Sequence, residues 1–410
     1  MEIRPILSSL RRHRTAAALI VLEIALSCAI VSNALFLVAQ RVEALHRPSG
    51  IAEHELLQIR LGGVGTQADA DARSREDLAA LRAVPGVANA AIVNQVPFQH
   101  GSWNTSLSNT PDQEVPTLNT AQYMVTPGTL DTFGLKLAAG RDFNAEEYKD
   151  GSILEQATDI KSLSGPIIVS ETTARKLFPD GGANAAIGRT VYMANIPLTI
   201  VGVVQTLTRP NDDNGEWNDS MLLPIRLNYD IGGFYLVRVT DPARRAEVLR
   251  NAVAALEKVD PNRLVLDQQP YDDIRNDYFA SDRDMIGLLI AVSVLLLAVT
   301  ALGIVGLASF WVQQRTKQIG IRRALGATRS QILRYFQTEN LLLATVGIAV
   351  GMVLAYAINQ LLMNKYELPR LPLYYLPIGA VLLWLLGQLA VLGPARRAAA
   401  VPPAVATRSA

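Results

Sequence analysis

The sequence predicts an α-helical membrane protein with four transmembrane helices and a large α+β extracytoplasmic domain set between the first and second of them. Three observations predict this. Four long apolar runs stand out in a chain that is 50% hydrophobic, with a mean hydropathy of +0.19. The 244 residues at 41–284 instead alternate strand-like and helix-like segments. Basic residues crowd the ends and one loop, all on one side of the four runs. The overall charge of +1 says nothing about partners; its distribution does.

The chain opens with Ile3, Ile6, Leu7 and Leu10 at helical spacing, followed by Arg11, Arg12, His13 and Arg14. This predicts an amphipathic helix over 1–15, suited to an anionic membrane surface. The first span is placed at 16–40. A positive cluster before an apolar run can mark a signal peptide, but this run is too long for that and no small-x-small site follows it. The span carries Glu23 and Asn33. A carboxylate within a span costs about 2.5 kcal/mol or more on insertion scales and is a functional hint by default. Glu23 also lies close enough to the run's start to reach headgroups or a neighbouring arginine.

Residues 41–284 carry 23 Lys and Arg against 33 Asp and Glu, a net −10. Leu56–Leu61 alternates as a strand, Asp71–Ala83 is helical and closed by Pro85 and Gly86, and Val87–Val96 returns as a strand. Further strands are predicted at 121–125, 166–170, 235–239 and 264–266, and a strand pair at 188–193 and 198–204. Helices are predicted at 171–177, with Ser170 as N-cap, and at 242–259. The stretches 62–68, 144–164 and 208–219 read as polar loops.

The remaining spans are placed at 285–311, 340–363 and 373–392. A basic loop over 312–339, a short external loop over 364–372 and a tail over 393–410 connect and close them. Thirteen Lys and Arg on the side of the termini and the 312–339 loop face two acids, Glu2 and Glu339. The positive-inside rule puts that side in the cytoplasm and the large domain outside. Gly347 and Gly351 in the third span are spaced for close helix packing, within the chain or between copies, and Gly303 and Gly306, three apart, suggest a similar close approach in the second.

No constellation for chemistry is visible. No glycine precedes a lysine, so there is no phosphate-binding P-loop, and neither a GxSxG elbow nor HExxH is present. One cysteine, Cys28, excludes an internal disulfide and a cysteine metal site. The chain is therefore expected to be no enzyme, to hold no cofactor and to bind no nucleic acid. The informative stretch is the basic loop, where Ile319, Ile321 and Leu325 interrupt the cations and Gly320 and Gly326 allow bends. Thr328 and Gln331 form a T-x-x-Q capping box that restarts a helix into the third span. A rigid finger with an apolar ridge fits a groove on a soluble partner. The same spacing fits a helix lying flat on anionic lipid.

The stretch QQRTKQIGIRRALGATRSQILRYFQTENLLLATVGIAVG resembles the signature of FtsX-like permeases, the membrane subunits of MacB-type ABC transporters. VPGVANA at 84–90, YMVTPGTLDTFGLKLAAGRDF at 123–143, VSETTARKLFP at 169–179, IGRTVYM at 187–193 and TIVGVV at 199–204 are similar, in order, to the family's periplasmic core domain. The resemblance implies that Ile319, Gly320, Ile321, Arg322, Arg323, Ala324, Leu325 and Gly326 form an ATPase-coupling element. It implies a porter-like α+β part at about 46–138 and 230–280 with an inserted lobe at about 139–229. The founding member carries a fused N-terminal ATPase, whereas here the first span begins near residue 16. A separate ATPase dimer holding ATP and Mg is therefore expected, with a second permease, identical or homologous, and room for a periplasmic membrane fusion protein. The implied location is the bacterial inner membrane, with both termini cytoplasmic, and the implied task is export by mechanotransmission. The residues also admit a membrane-anchored regulator signalling to an envelope enzyme or sensor kinase, and a stand-alone receptor.

Overall fold

The computed structural model describes residues 14–63, 69–154, 163–211, 216–366 and 370–402. These form two compact units: one from the chain up to His46 and from Asp282 onward, the other Arg47–Ser281. The helix expected over 1–15 lies outside the described residues except for Arg14 and Thr15, as do 367–369 of the short loop and 403–410 of the tail.

In chain order, α1 (Arg14–Leu45) precedes β1 (Leu56–Gly62), α2 (Ala70–Arg82), β2 (Val87–Val93), β3 (Asn104–Leu107) and β4 (Leu118–Met124). Next come α3 (Thr129–Phe133), β5 (Leu137–Gly140), β6 (Lys149–Asp150), β7 (Gly165–Ser170), α4 (Glu171–Leu177) and α5 (Gly182–Ala186). Then follow β8 (Thr190–Met193), β9 (Ile196–Val204), β10 (Ser220–Leu223), β11 (Ile225–Arg226), β12 (Phe234–Val239), α6 (Arg245–Val259), β13 (Leu264–Pro270) and α7 (Tyr271–Tyr278). The chain closes with α8 (Ala280–Gln314), α9 (Thr316–Ala324), α10 (Arg329–Tyr366) and α11 (Tyr375–Ala399).

The outer unit holds two larger sheets. In the four-stranded sheet the order is β13-β1-β12-β2, with every neighbouring pair antiparallel. β1-α2-β2 and β12-α6-β13 are thus two split βαβ units, each filling the gap the other leaves, as in ferredoxin-like folds. Strand periodicity explains why runs such as LLQI are buried throughout. Leu57, Ile59, Tyr235 and Val237 share a core with Leu78, Leu81, Val248 and Leu256 of the helices, while Leu56, Phe234 and Leu236 belong to a second core. That second core contains Tyr123, Val125 and Leu222 from the insertion, so the two parts share one interior.

The second sheet runs β3-β4-β10-β7-β9-β5, with β8 on β9. Its strands begin at Asn104, so the insertion leaves the ferredoxin-like part between Val93 and Asn104 rather than near 139. The cause is long-range pairing: β4 lies parallel to β10, with Ala121 opposite Ser220. The 208–219 stretch also departs from a polar surface loop. Arg209, Asn218 and Asp219 are buried, and Arg209 donates to the Asn119 carbonyl at 3.0 Å and to Asn104 Oδ1 at 2.8 Å. Ser170 caps α4 by accepting from the Thr173 amide at 3.3 Å.

Among the described residues of the membrane unit, four helices are long and apolar enough to cross a membrane: α1, α8, α10 and α11. Glycines let α10 approach α1. A Cβ at Gly351 would stand 2.5 Å from Cys28 Cβ, and one at Gly347 2.9 Å from Ile24 Cβ. Asn33 is buried and donates to the Ala29 carbonyl at 2.9 Å and the Ala355 carbonyl at 3.1 Å, joining α1 to α10. Ser27 and Thr300 hydroxyls meet at 2.7 Å between α1 and α8, and Arg41 pairs with Asp282 further along the same two helices.

Gly351→Val forces α1 and α10 apart and should cost about 1–3 kcal/mol, whereas Gly306→Ala, with nothing within 4 Å, leaves stability unchanged; thermal unfolding in detergent checks both. In the outer unit Asp77 is fully buried, bonded by Arg263 Nη2 at 2.7 Å and by the Tyr235 hydroxyl. Asp77→Ala removes the carboxylate hydrogen-bonded to Arg263 and leaves it only Asp260, at 3.7 Å, which should cost about 3–5 kcal/mol, while the apolar pair Asp77→Leu with Arg263→Met recovers most of it. Equal loss in the single and double variants would contradict this.

Candidate functional site

The basic loop over 312–339 is a helical hairpin without a true loop. α8 runs to Gln314, α9 follows at once, and α10 begins at Arg329 and continues unbroken through the third apolar run. The turn between α9 and α10 is closed at both ends. Gly326 has φ +98°, its amide bonds the Arg323 carbonyl at 3.2 Å, and the Ala327 amide bonds the Arg322 carbonyl at 3.0 Å. This is a Schellman motif, which needs a left-handed residue at that position. Directly after it, the Thr328 amide donates to Gln331 Oε1 at 2.8 Å, and the Gln331 amide donates to Thr328 Oγ1 at 3.3 Å. The capping box is thus formed on both sides.

Three contacts seat α9. Ile319 is 5% exposed and shares a small core with Val312, Ile332, Phe336, Ala395 and Ala398. Arg322 lies 5.1 Å above the Tyr335 ring, a cation–π contact. Arg315 Nη1 donates to both carboxylate oxygens of Glu339, at 3.0 and 2.9 Å, and its guanidinium covers Trp311 at 5.6 Å. Glu339 is 1% exposed and is the only acid in the 312–339 stretch. Burial would make a lone carboxylate there costly, so the pair joins the end of α8 to α10.

The eight residues of the IGIRRALG block divide accordingly. Ile319 and Gly320 are buried and anchor the helix. Ile321, at 47% exposure, and Leu325, at 84%, lie four apart on one outward face. Arg322, Ala324 and Gly326 are exposed and Arg323 is half-buried. The outward surface is an apolar ridge edged by cations, with Lys317 and Arg329 exposed beside it.

The structure does not bring Glu23 and Asn33 together into one site. Asn33 is bonded as a helix tie. Glu23 is half-buried with its carboxylate against α8: a Cβ at Gly303 would meet Glu23 Oε2 at 2.5 Å. Among the described residues it makes no hydrogen bond or ion pair, so no arginine reaches it there. Sequence reasoning did not single out Arg315, Trp311 or Glu339. An acid at the head of an otherwise uncharged apolar run was the available signal for Glu339. Among the described residues no group of three His, Cys, Asp or Glu could hold a metal ion.

Residues 17–255 match the family model described as a MacB-like periplasmic core domain, and residues 290–403 match that of the FtsX-like permease C-terminal region. The Macrolide export ATP-binding/permease protein MacB of Chromobacterium violaceum is 28% identical over 281 residues, covering 66% of this chain and 40% of that protein. The protein of the same name from Acinetobacter baylyi is 26% identical over 273 residues, covering 65% and 40%. The chain thus spans about two fifths of the length of these relatives. The periplasmic region of MacB from Actinobacillus actinomycetemcomitans aligns over 57% of this chain and 97% of its own, at 15% identity and a TM-score of 0.34.

Glu339→Gln removes the charge that holds Arg315 and should speed amide hydrogen exchange over 315–326 at least tenfold, with the 341–355 amides unchanged. Thr328→Ala removes one side of the capping box and should cost about 1 kcal/mol in thermal unfolding.

Proposed function

This chain belongs to the FtsX-like permease family with a MacB-like periplasmic core domain, and from that premise we propose that it is the permease subunit of a MacB-type ABC transporter. It is a membrane protein whose large domain is of the periplasmic kind. In the reading we favour, that domain lies outside the inner membrane and α9 lies in the cytoplasm, as the positive-inside rule directs. A separate ATPase dimer binds and hydrolyses ATP with Mg, and two permease chains, identical or homologous, sit above it.

The observation that carries this reading is the Ile321–Leu325 ridge. An apolar pair left outward on a short helix is a weak design for water and a good one for a groove on a partner. Its seat transmits force. A push on α9 reaches α8 through the direct α8–α9 junction at Arg315, and reaches α10 through Ile319, the capped turn and the Arg315–Glu339 pair. α8 is continuous from the membrane unit to Ala280, so the movement is carried toward the outer domain along one helix. That domain then performs the work of export, and a periplasmic fusion protein is a partner suited to receive it. The four helices need carry no substrate path.

The test is ATPase stimulation. Ile321→Asp and Leu325→Asp should each lower permease-stimulated ATP hydrolysis by the partner at least fivefold while the permease's unfolding temperature stays unchanged. Unaltered stimulation in both would remove the ridge from coupling and favour a helix resting on lipid.

A further inference from the structure

We propose that the outer domain binds an amphipathic anion, an apolar body bearing one carboxylate or sulfonate, in a cleft between α2 and the β6–β11 ribbon. The site goes beyond the coupling role above and does not depend on it. The cleft measures about 440 Å³, within the range of about 300–1,000 Å³ common for small-ligand sites.

One wall is a single face of α2, with Asp71, Arg75, Leu78 and Arg82 at near-helical spacing. The floor is apolar, from Leu78, Ile92 and Leu227. Three guanidinium groups, Arg75, Arg82 and Arg226, stand around it. The two carboxylates at the rim are already engaged. Asp71 accepts from Asn228 Nδ2 at 2.6 Å, and Asp150 faces Arg226 at 3.6 Å.

The cations are less well matched. Arg82 donates only to main-chain carbonyls, Ala90 at 2.7 Å and Pro127 at 3.2 Å, and burial pushes its pKa down from the ordinary arginine value. Arg75 is exposed and makes no hydrogen bond or ion pair among the described residues. A half-buried guanidinium held by carbonyls and a free one on the same helix face leave positive charge over an apolar floor. An anion with an apolar body fits both features, and a neutral or cationic body of the same shape satisfies only one.

The experiment is a calorimetric titration of the full chain in lipid nanodiscs, with empty nanodiscs as the blank. The probe is 2-naphthoate, compared with the neutral 2-naphthamide and with 2-naphthylmethylammonium. The expected result is one saturable site for 2-naphthoate, with the other two at least tenfold weaker. Arg75→Glu should weaken 2-naphthoate at least tenfold at an unchanged unfolding temperature, since that side chain is exposed and unbonded. Arg226→Gln should weaken it by a smaller factor. No saturable binding, equal affinity for the amide, or an unaltered affinity in Arg75→Glu would each overturn the proposal.

Discussion

A carboxylate buried at the head of an apolar run has to be neutralised in place, and Glu339 is neutralised by Arg315 through two hydrogen bonds. The arrangement of the membrane unit's basic end depends on that pair. Breaking one partner of such a pair costs about 3–5 kcal/mol, more than the pair itself adds to stability. The interaction therefore specifies geometry. It sets the direction in which α8 ends, and so the angle at which α9 leaves it. Ile319, the Tyr335 ring beneath Arg322 and the Schellman turn at Gly326 then orient α9 about its own axis. What remains outward is Ile321, Leu325 and a fringe of cations.

The outer unit solves a comparable problem with the same means. Asp77, Arg263 and Tyr235 form a buried hydrogen-bonded group in the ferredoxin-like part, and the buried Arg209 is held by the half-buried Asn104 and Asn119 in the inserted sheet. Both sheets contribute to one core through residues such as Leu56, Phe234, Tyr123 and Leu222. The cleft beside α2 lies in this same compact unit, and its walls come from both parts. Its arginines differ from the buried groups because they have no carboxylate within the fold to complete them, apart from Arg226.

Much of this was legible in the sequence because it rests on local signals. The four apolar runs, the T-x-x-Q box at Thr328, the Ser170 cap and the strand pair over 188–204 each depend on residues within a few positions of one another. Interactions between distant residues were not legible. β3 is NTSL, a short polar strand with no alternation, and it exists because β4 pairs with it. The parallel pairing of β4 with β10 placed the start of the insertion near residue 100. Arg209 looked like a loop residue because its acceptors, Asn104 and Asn119, come from remote strands. In the basic hairpin, spacing marked eight residues as one element, but only tertiary packing separates the anchors Ile319 and Gly320 from the outward Ile321 and Leu325. The helix partner of Gly347 and Gly351 was equally hidden, and it proves to be α1 of the same chain.

If α9 is held rigidly with its ridge against a cytoplasmic protein partner, as proposed, the accessibility of Leu325 changes when that partner binds. Cys28 is the only cysteine and is buried, so a Cys28→Ala background carrying Leu325→Cys reports on one position. In inside-out vesicles, a membrane-impermeant maleimide should modify that thiol rapidly in the permease alone and at least tenfold more slowly once the cognate ATPase is bound, with Ile319→Cys unreactive throughout. A Leu325→Cys thiol that is shielded without the ATPase, or equally reactive with it, would rule out docking through this ridge.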